Sequence, residues 1–313
     1  MAKIINEVLF KGYQSQFIQG HEISLPELNA DQIKDLSGDV NGSTTIHYVN
    51  YSLQISKLHK FPFYTATNVD GEMFKKAPRK DYWRKDPRLS KDAQWGSELY
   101  TTANSQFDRG HMTKREDVQW GDTVAKALYA ADSTFYFPNA VPQHKRLNRV
   151  IWRSLEDYIL HTESKVNNLK VCVFTGPVLS DENPFFVTRV DNSEVRIPIL
   201  FWKVVIFQKN DGKLYRVGFM MNQNKLLLED NIIMDLENDS DLYMKFKDSE
   251  TYQVKVPLIE ELSGITFSSA IDIYNDERSL KLILNEIEID PDLESDDLDP
   301  KDFLGFTIQN IVL

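Results

Sequence analysis

Apolar positions recur along residues 46–55 at Ile46, Tyr48, Tyr51, Leu53 and Ile55, a near-alternation that predicts a β-strand with one buried face. Residues 62–66 and 170–174 read the same way, and so do 197–207 and 214–221. The last two flank Asn210-Asp211-Gly212, a turn signal that predicts a hairpin. Residues 123–131 are alanine-rich and suit a short helix, while 146–161 carry the strongest helical pattern of the chain. Within that segment Leu147, Ile151, Leu155 and Tyr158 fall at i, i+4, i+8 and i+11, on one helical face. Strands interleaved with helices, with a hairpin late in the chain, predict an α+β fold around a central antiparallel or mixed sheet flanked by helices.

Polarity marks three regions. Residues 1–47 are polar, with Pro26 and turn-forming runs at Ser37-Gly38-Asp39 and Asn41-Gly42-Ser43, and read as an N-terminal extension wrapped on a main domain at 48–275. Residues 276–313 read as an acidic C-terminal appendage. Nine acidic residues and one lysine lie between positions 286 and 302, interspersed with Ile287, Ile289, Leu293 and Leu298, before an apolar end at 303–313. Such a segment is either a solvated amphipathic tail or one that binds a partner or imitates DNA to restrain the main domain. Deleting residues 277–313 and comparing activity separates the two.

The formal charge of −11 argues against a nucleic-acid partner until its distribution is considered. Residues 57–153 hold 18 basic and 11 acidic side chains, a local balance of +7 that leaves −18 to the remainder. The middle of the chain is therefore basic between acidic ends. The single cysteine, Cys172, excludes an internal disulfide framework and any cysteine-rich metal site, and its apolar setting at 171–174 predicts a core thiol. No apolar run approaches the roughly 20 residues of a membrane span, so no membrane partner is expected. The first 20 residues show no apolar stretch after a basic start. Cytoplasmic localisation is the expectation, with signal removal or export by another route as the alternatives.

The chemistry concentrates in Phe107-Asp108-Arg109-Gly110-His111-Met112, then Phe137-Pro138-Asn139-Ala140-Val141-Pro142-Gln143, then residues 147–156. Hydrolysis of a phosphodiester needs an activated water, positive charge for the phosphoryl oxygens and help for the leaving oxygen. A histidine near neutrality deprotonates water, and an arginine offers a forked donor to phosphate. His111 and Arg109 supply both within one short run, and Gly110 between them is expected to let the backbone turn and a substrate approach closely. Asn148 and Glu156 offer the oxygen ligands that Mg²⁺ prefers. Eight residues of straight helix rise about 12 Å, so both side chains do not reach one ion directly. Asn148 is expected to bind the metal and Glu156 to act through a metal-bound water. The chain has no His-Glu-x-x-His and no Gly-x-x-x-x-Gly-Lys run, which removes the common metalloprotease and nucleotidase patterns.

These blocks resemble the DNA/RNA non-specific endonucleases, the family that includes secreted bacterial nucleases and the mitochondrial endonuclease G type. The resemblance rests on Asp108-Arg109-Gly110-His111, on Asn139-x-x-Pro142-Gln143, and on Asn148 with Trp152 and Leu155-Glu156. Upstream, Phe61-Pro62-Phe63-Tyr64-Thr65-Ala66 and Trp83-Arg84-Lys85-Asp86-Pro87 look like the family's strand and basic segment. Downstream, Thr175-Gly176-Pro177, Ile197-Pro198, Phe201-Trp202-Lys203, Tyr252-Gln253-Val254 and 259–264 extend the likeness, which covers residues 48–270.

The resemblance implies a ββα-metal (His-Me finger) fold and a sugar-non-specific endonuclease leaving 5′-phosphate ends, with Mg²⁺ as cofactor and Mn²⁺ as a substitute. His111 would be the general base, Asn148 the direct metal ligand and Glu156 the holder of a metal-bound water. Arg109 would face the phosphate, and Asn139 would organise the site or the substrate. The second phosphate-facing arginine is read as Arg84, with Arg79 as the alternative. Leu160 stands where the family often shows a basic residue, leaving substrate grip to Lys145, Arg149 or Arg153. Expected partners are DNA and RNA, an inhibitor or regulatory protein, and a second copy in a homodimer. The alternative reading is a nucleic-acid- or protein-binding module that keeps the fold with weak or no catalysis.

Overall fold

The computed structural model describes residues 10–76, 82–145, 170–234, 251–282, 284–288, 304–308 and 311–312. Near its start lie the short strands β1 (Glu27–Leu28) and β2 (Ile46–His47), then β3 (Tyr51–Ile55) and β4 (Pro62–Asp70). Strands β5 (Phe107–His111) and β6 (Ala140–His144) pair only with each other. Three long strands follow, β7 (Lys170–Pro177), β8 (Leu200–Gln208) and β9 (Leu214–Asn222). The remaining strands are β10 (Thr251–Val254), β11 (Ile265–Thr266), β12 (Ile271–Asp272) and β13 (Leu280–Lys281), with β14 (Leu284–Glu288) and β15 (Leu304–Ile308).

The main sheet runs β13-β10-β9-β8-β7-β4-β3-β2 with antiparallel neighbours, and β12 lies parallel beside β9. Strands β4, β7, β8 and β9 are buried along nearly their whole length. They are thus covered on both faces rather than the one that alternation predicts, and β4 buries Thr65, Thr67, Asn68 and Asp70 beside its apolar residues. The predicted hairpin is β8–β9, closed where Lys209 N–H bonds Lys213 O at 3.1 Å and Gly212 adopts a φ of 78°. The strand starts at Leu200 rather than 197, because Pro198 has no N–H to give a ladder.

The predicted strand at 46–55 is instead the tight hairpin β2–β3. Asn50 takes a φ of 68°, a conformation asparagine tolerates better than most residues, and Tyr48 N–H bonds Tyr51 O at 2.8 Å. The alternation survives the reversal, which is why one pattern covers two strands. The predicted helix at 123–131 is α-helix Val124–Ser133, capped by Thr123 Oγ1 accepting from Lys126 N–H at 3.2 Å. The predicted helix at 146–161 lies outside the described residues.

Residues that polarity sets apart from the domain pack into its core. Tyr13, Ile18, Ile23 and Leu36 are buried in the same cluster as Phe174, Trp202 and Phe219, and β1 pairs with β11. At the other end, Gln253 is buried in β10 and its amide exchanges two hydrogen bonds with the Val312 backbone, at 2.7 and 2.9 Å. Cys172 is buried in β7, where burial pushes its thiol pKa up to about 11. Among the described residues no helix is long and apolar enough to cross a membrane.

Candidate active site

Strands β5 and β6 form a ribbon whose register sets the site. Phe107 faces His144, Asp108 faces Gln143, Arg109 faces Pro142, Gly110 faces Val141 and His111 faces Ala140. The sequence of β5 is poor in strand formers, and the ribbon is held from outside. Phe107 is buried against Phe186, with ring centroids 5.1 Å apart. His144 is buried and fixed by Gln223 Oε1, which accepts from its backbone N–H, and by Asp230 Oδ2 at 2.8 Å.

Alternation along β5 puts Arg109 and His111 on one face and Asp108 and Gly110 on the other. Gly110 is extended and paired inside the strand, so the turn expected there does not occur. Its missing side chain leaves room for Gln143: a Cβ on Gly110 would stand 2.1 Å from Gln143 Oε1. Gln143 is fully buried, and neither its Oε1 nor its Nε2 has a hydrogen-bond partner among the described residues.

The His111 ring is walled by aromatics. The Trp83 ring lies 4.6 Å away at 51°, and Phe135 meets it edge-on at 5.1 Å and 85°. The chain beyond His111 is riveted by Asn139. Its Oδ1 accepts from Thr113 N–H at 2.8 Å, and its Nδ2 donates to Thr113 O and Thr134 O at 2.9 and 3.1 Å. Thr113 Oγ1 in turn meets Thr67 Oγ1 of β4 at 2.7 Å, tying the site to the main sheet. Asn139 is fully buried and joins residues 113 and 134 through its amide.

The two arginines differ sharply. The Arg109 guanidinium lies 5.6 Å from the Tyr100 ring, and its buried Nε has no hydrogen-bond partner among the described residues. No carboxylate among the described residues neutralises it. Burial raises the Tyr100 hydroxyl pKa well above its ordinary value, against the pull of Arg109. Arg84, read from sequence as a phosphate contact, has its guanidinium occupied. Its Nη1 donates to Tyr82 O at 2.9 Å, and its Nη2 donates to Asp132 Oδ2 at 2.9 Å and Asp132 O at 3.2 Å. The guanidinium also stacks 4.0 Å from the Tyr136 ring. These contacts engage the Arg84 guanidinium within the protein, in a way that sequence spacing had no means of supplying.

Lys145 directly follows β6 and is exposed. Arg79, Asn148, Arg149 and Glu156 lie outside the described residues. Among the described residues no group of three or more His, Cys, Asp or Glu side chains could hold a metal ion. Trp83 and Gln143 are site residues to which the sequence reading gave no role. Their signal was present, an aromatic in a basic segment and an amide opposite Asp108, but only the pairing of distant segments makes it legible.

A model of the DNA/RNA non-specific endonucleases matches residues 30–272 of the chain. The chain is 32% identical over 276 residues to the Sinorhizobium fredii (strain NBRC 101917 / NGR234) protein y4fB, covering 83% of this chain and 39% of that protein. It is 31% identical over 123 residues to mitochondrial endonuclease G of Homo sapiens, covering 37% of this chain and 39% of that protein. The match thus spans about two-fifths of the length of each relative. In structure it resembles a chain of the solved EndoG/EndoGI complex, with a TM-score of 0.51 at 20% identity, over 72% of this chain and 85% of that one. That likeness shows the fold, α+β of the ββα-metal nuclease type.

Proposed function

Because this chain belongs to the DNA/RNA non-specific endonuclease family, we propose that it hydrolyses phosphodiester bonds of DNA and RNA with His111 as general base. The observation that carries this reading is the face shared by Arg109 and His111 on β5. A base held between aromatic rings stands two residues from a guanidinium whose Nε has no hydrogen-bond partner among the described residues. A substrate phosphate is the anion whose chemistry suits that guanidinium.

In this mechanism a ring nitrogen of His111 takes a proton from the attacking water as the new P–O bond forms. Arg109 donates to the phosphoryl oxygens, on which charge grows as the reaction proceeds, and donors of this kind act most strongly where water is excluded. The ribbon holds both groups in register, so neither has to be recruited from a flexible loop. Loss of the 3′ oxygen leaves a 5′-phosphate. Lys145, exposed at the end of β6, would contact the substrate backbone.

The donor chemistry of the chain fits a divalent cation. The amide oxygen of Asn148 and the carboxylate of Glu156 are hard ligands, and the strand that carries the buried, unpartnered Gln143 amide leads directly into that segment. Asn148 would hold Mg²⁺ directly and Glu156 would hold it through a metal-bound water, with Mn²⁺ as a substitute; when bound, the ion would supply positive charge to the leaving oxygen. The solved EndoG/EndoGI complex concerns inhibition of EndoG, and a protein inhibitor is the partner we would seek for this chain.

Digestion of supercoiled plasmid and of RNA with Mg²⁺ or Mn²⁺ tests the reading, with EDTA and His111→Ala as controls. Nicking and linearisation by wild type alone, with ends that accept ligation as 5′-phosphates, is the expected result. Binding without cleavage of either nucleic acid would reduce the protein to a binding module, and 3′-phosphate ends would overturn the proposed line of attack.

A further inference from the structure

We propose that Trp83 is a positioning residue for the general base, fixing the orientation of the His111 ring; this rests on the reading of His111 given above. The χ2 torsion of histidine is broad, so pairing β5 with β6 locates the His111 backbone without fixing the plane of its imidazole. Rings on two sides supply that constraint. Trp83 lies 4.6 Å from the imidazole at 51°, Phe135 closes the second side at 85°, and Trp83 also meets Phe135 edge-on at 5.3 Å. Phe137 backs Trp83 at 5.7 Å. Rotation of the imidazole would break edge and face contacts with both neighbours, contacts that favour such offset and perpendicular arrangements.

Trp83 is itself held by its flanks. Arg84 N–H bonds Phe135 O at 3.1 Å and Phe137 N–H bonds Arg84 O at 3.0 Å, a parallel bridge that locks the Trp83 segment beside residues 135–137. The Arg84 side chain reinforces the bridge through Asp132 and Tyr136. In this arrangement Arg84 supports the placement of Trp83 and, through it, of His111. Tyr82, the preceding residue, is 67% exposed, with the Arg84 guanidinium 5.7 Å from its ring, whereas the Trp83 ring is engaged by His111, Phe135 and Phe137. A nucleobase platform on this segment would therefore fall to Tyr82, which separates positioning from substrate stacking.

The full chain with Trp83→Leu, Trp83→Phe or His111→Ala tests the proposal on a defined oligonucleotide, with thermal melts confirming that each variant is folded. Trp83→Leu is expected to lose roughly 10- to 100-fold in kcat with KM within about twofold of wild type, because misplacing a catalytic group by about 1 Å costs on that order. Trp83→Phe, which restores a ring wall, should regain most of the loss. Independently of activity, the His111 ring proton signals, identified by their absence in His111→Ala, should move and broaden in Trp83→Leu and not in Trp83→Phe. Should Trp83→Leu fail to fold, the Trp83→Phe rate and the ring signals decide. Unchanged kcat and ring signals in Trp83→Leu would overturn the proposal, as would a raised KM at wild-type kcat, which would make Trp83 a substrate contact. Full activity of His111→Ala would instead overturn the general-base reading, and the positioning role with it.

Discussion

Gln143 occupies the space that a side chain on Gly110 would need, so the glycine of the Asp-Arg-Gly-His run is fixed by a neighbour across the ribbon. The added Cβ of Gly110→Ala would lie 2.1 Å from Gln143 Oε1 and 2.3 Å from its Cδ. Overpacking of this kind costs about 1–3 kcal/mol. The substitution should lower the unfolding free energy measured by urea titration by that much and distort β5 on either side of Gly110. Combining it with Gln143→Ala should recover most of the stability, a coupling that a double-mutant cycle reads directly. Additive losses would show that Gln143 is not the obstacle.

Arg109 and Arg84 should separate in their effects. The Arg109 Nε has no hydrogen-bond partner among the described residues, so Arg109→Ala should leave the melting temperature nearly unchanged. Its kcat should fall by roughly 10²–10³, the usual scale for removing a donor aimed at transition-state charge. Arg84→Ala strands the Asp132 carboxylate contact and unloads the bridge to residues 135–137, and should cost stability by about 1–3 kcal/mol. Melting curves and steady-state kinetics on the same preparations check both. A stable Arg84→Ala with a large rise in KM would return Arg84 to the phosphate.

Asn139 is predicted to matter through stability alone. Asn139→Ala strands Thr113 N–H, Thr113 O and Thr134 O in a buried setting, at roughly 1–3 kcal/mol for each group left unsatisfied. Asn139→Asp should be comparably damaging, since it sets carboxylate oxygen against two carbonyls that expect a donor. Denaturation midpoints should drop in both, while the folded fraction, counted by burst or binding titration, keeps the wild-type KM. A folded Asn139→Ala with a raised KM would mean that the amide does reach the substrate.

What could be read from sequence divides along the range of the interactions. The β8–β9 hairpin was legible because its turn, Asn210-Asp211-Gly212, and its alternation lie within one short stretch. The Arg109–His111 pairing was legible because two residues on one strand share a face wherever the strand goes. The strand itself was not: Asp108, Arg109 and Gly110 are poor strand formers, and β5 exists because β6, more than 25 residues on, pairs with it. The aromatic walls of His111 come from residues 83 and 135, and the occupation of Arg84 from Asp132 and Tyr136, none of them adjacent in sequence to what they contact. Long-range contacts decide which arginine is free, and no local pattern encodes them.

His47 should give the protein an acid-sensitive step in stability. At the β2–β3 hairpin, desolvation of its ring first and Arg88 second hold its pKa below the usual 6.5, with Asp39 pulling the other way. Ser52 Oγ accepts from Tyr13 N–H at 2.8 Å and has its own proton to give to His47 Nδ1, also at 2.8 Å, an arrangement that suits an unprotonated Nδ1. Because the folded-state pKa lies below the unfolded one, the unfolded chain takes up this proton first as pH falls. The contribution of the site is therefore complete above 6.5 and drains away as pH drops from there through the lower folded-state value. Urea midpoints measured from pH 7.5 down to about 5 should fall more steeply for wild type than for His47→Gln, which cannot titrate. Parallel curves for the two proteins across that window would show that the His47 ring is as easily protonated in the folded protein as in the unfolded chain.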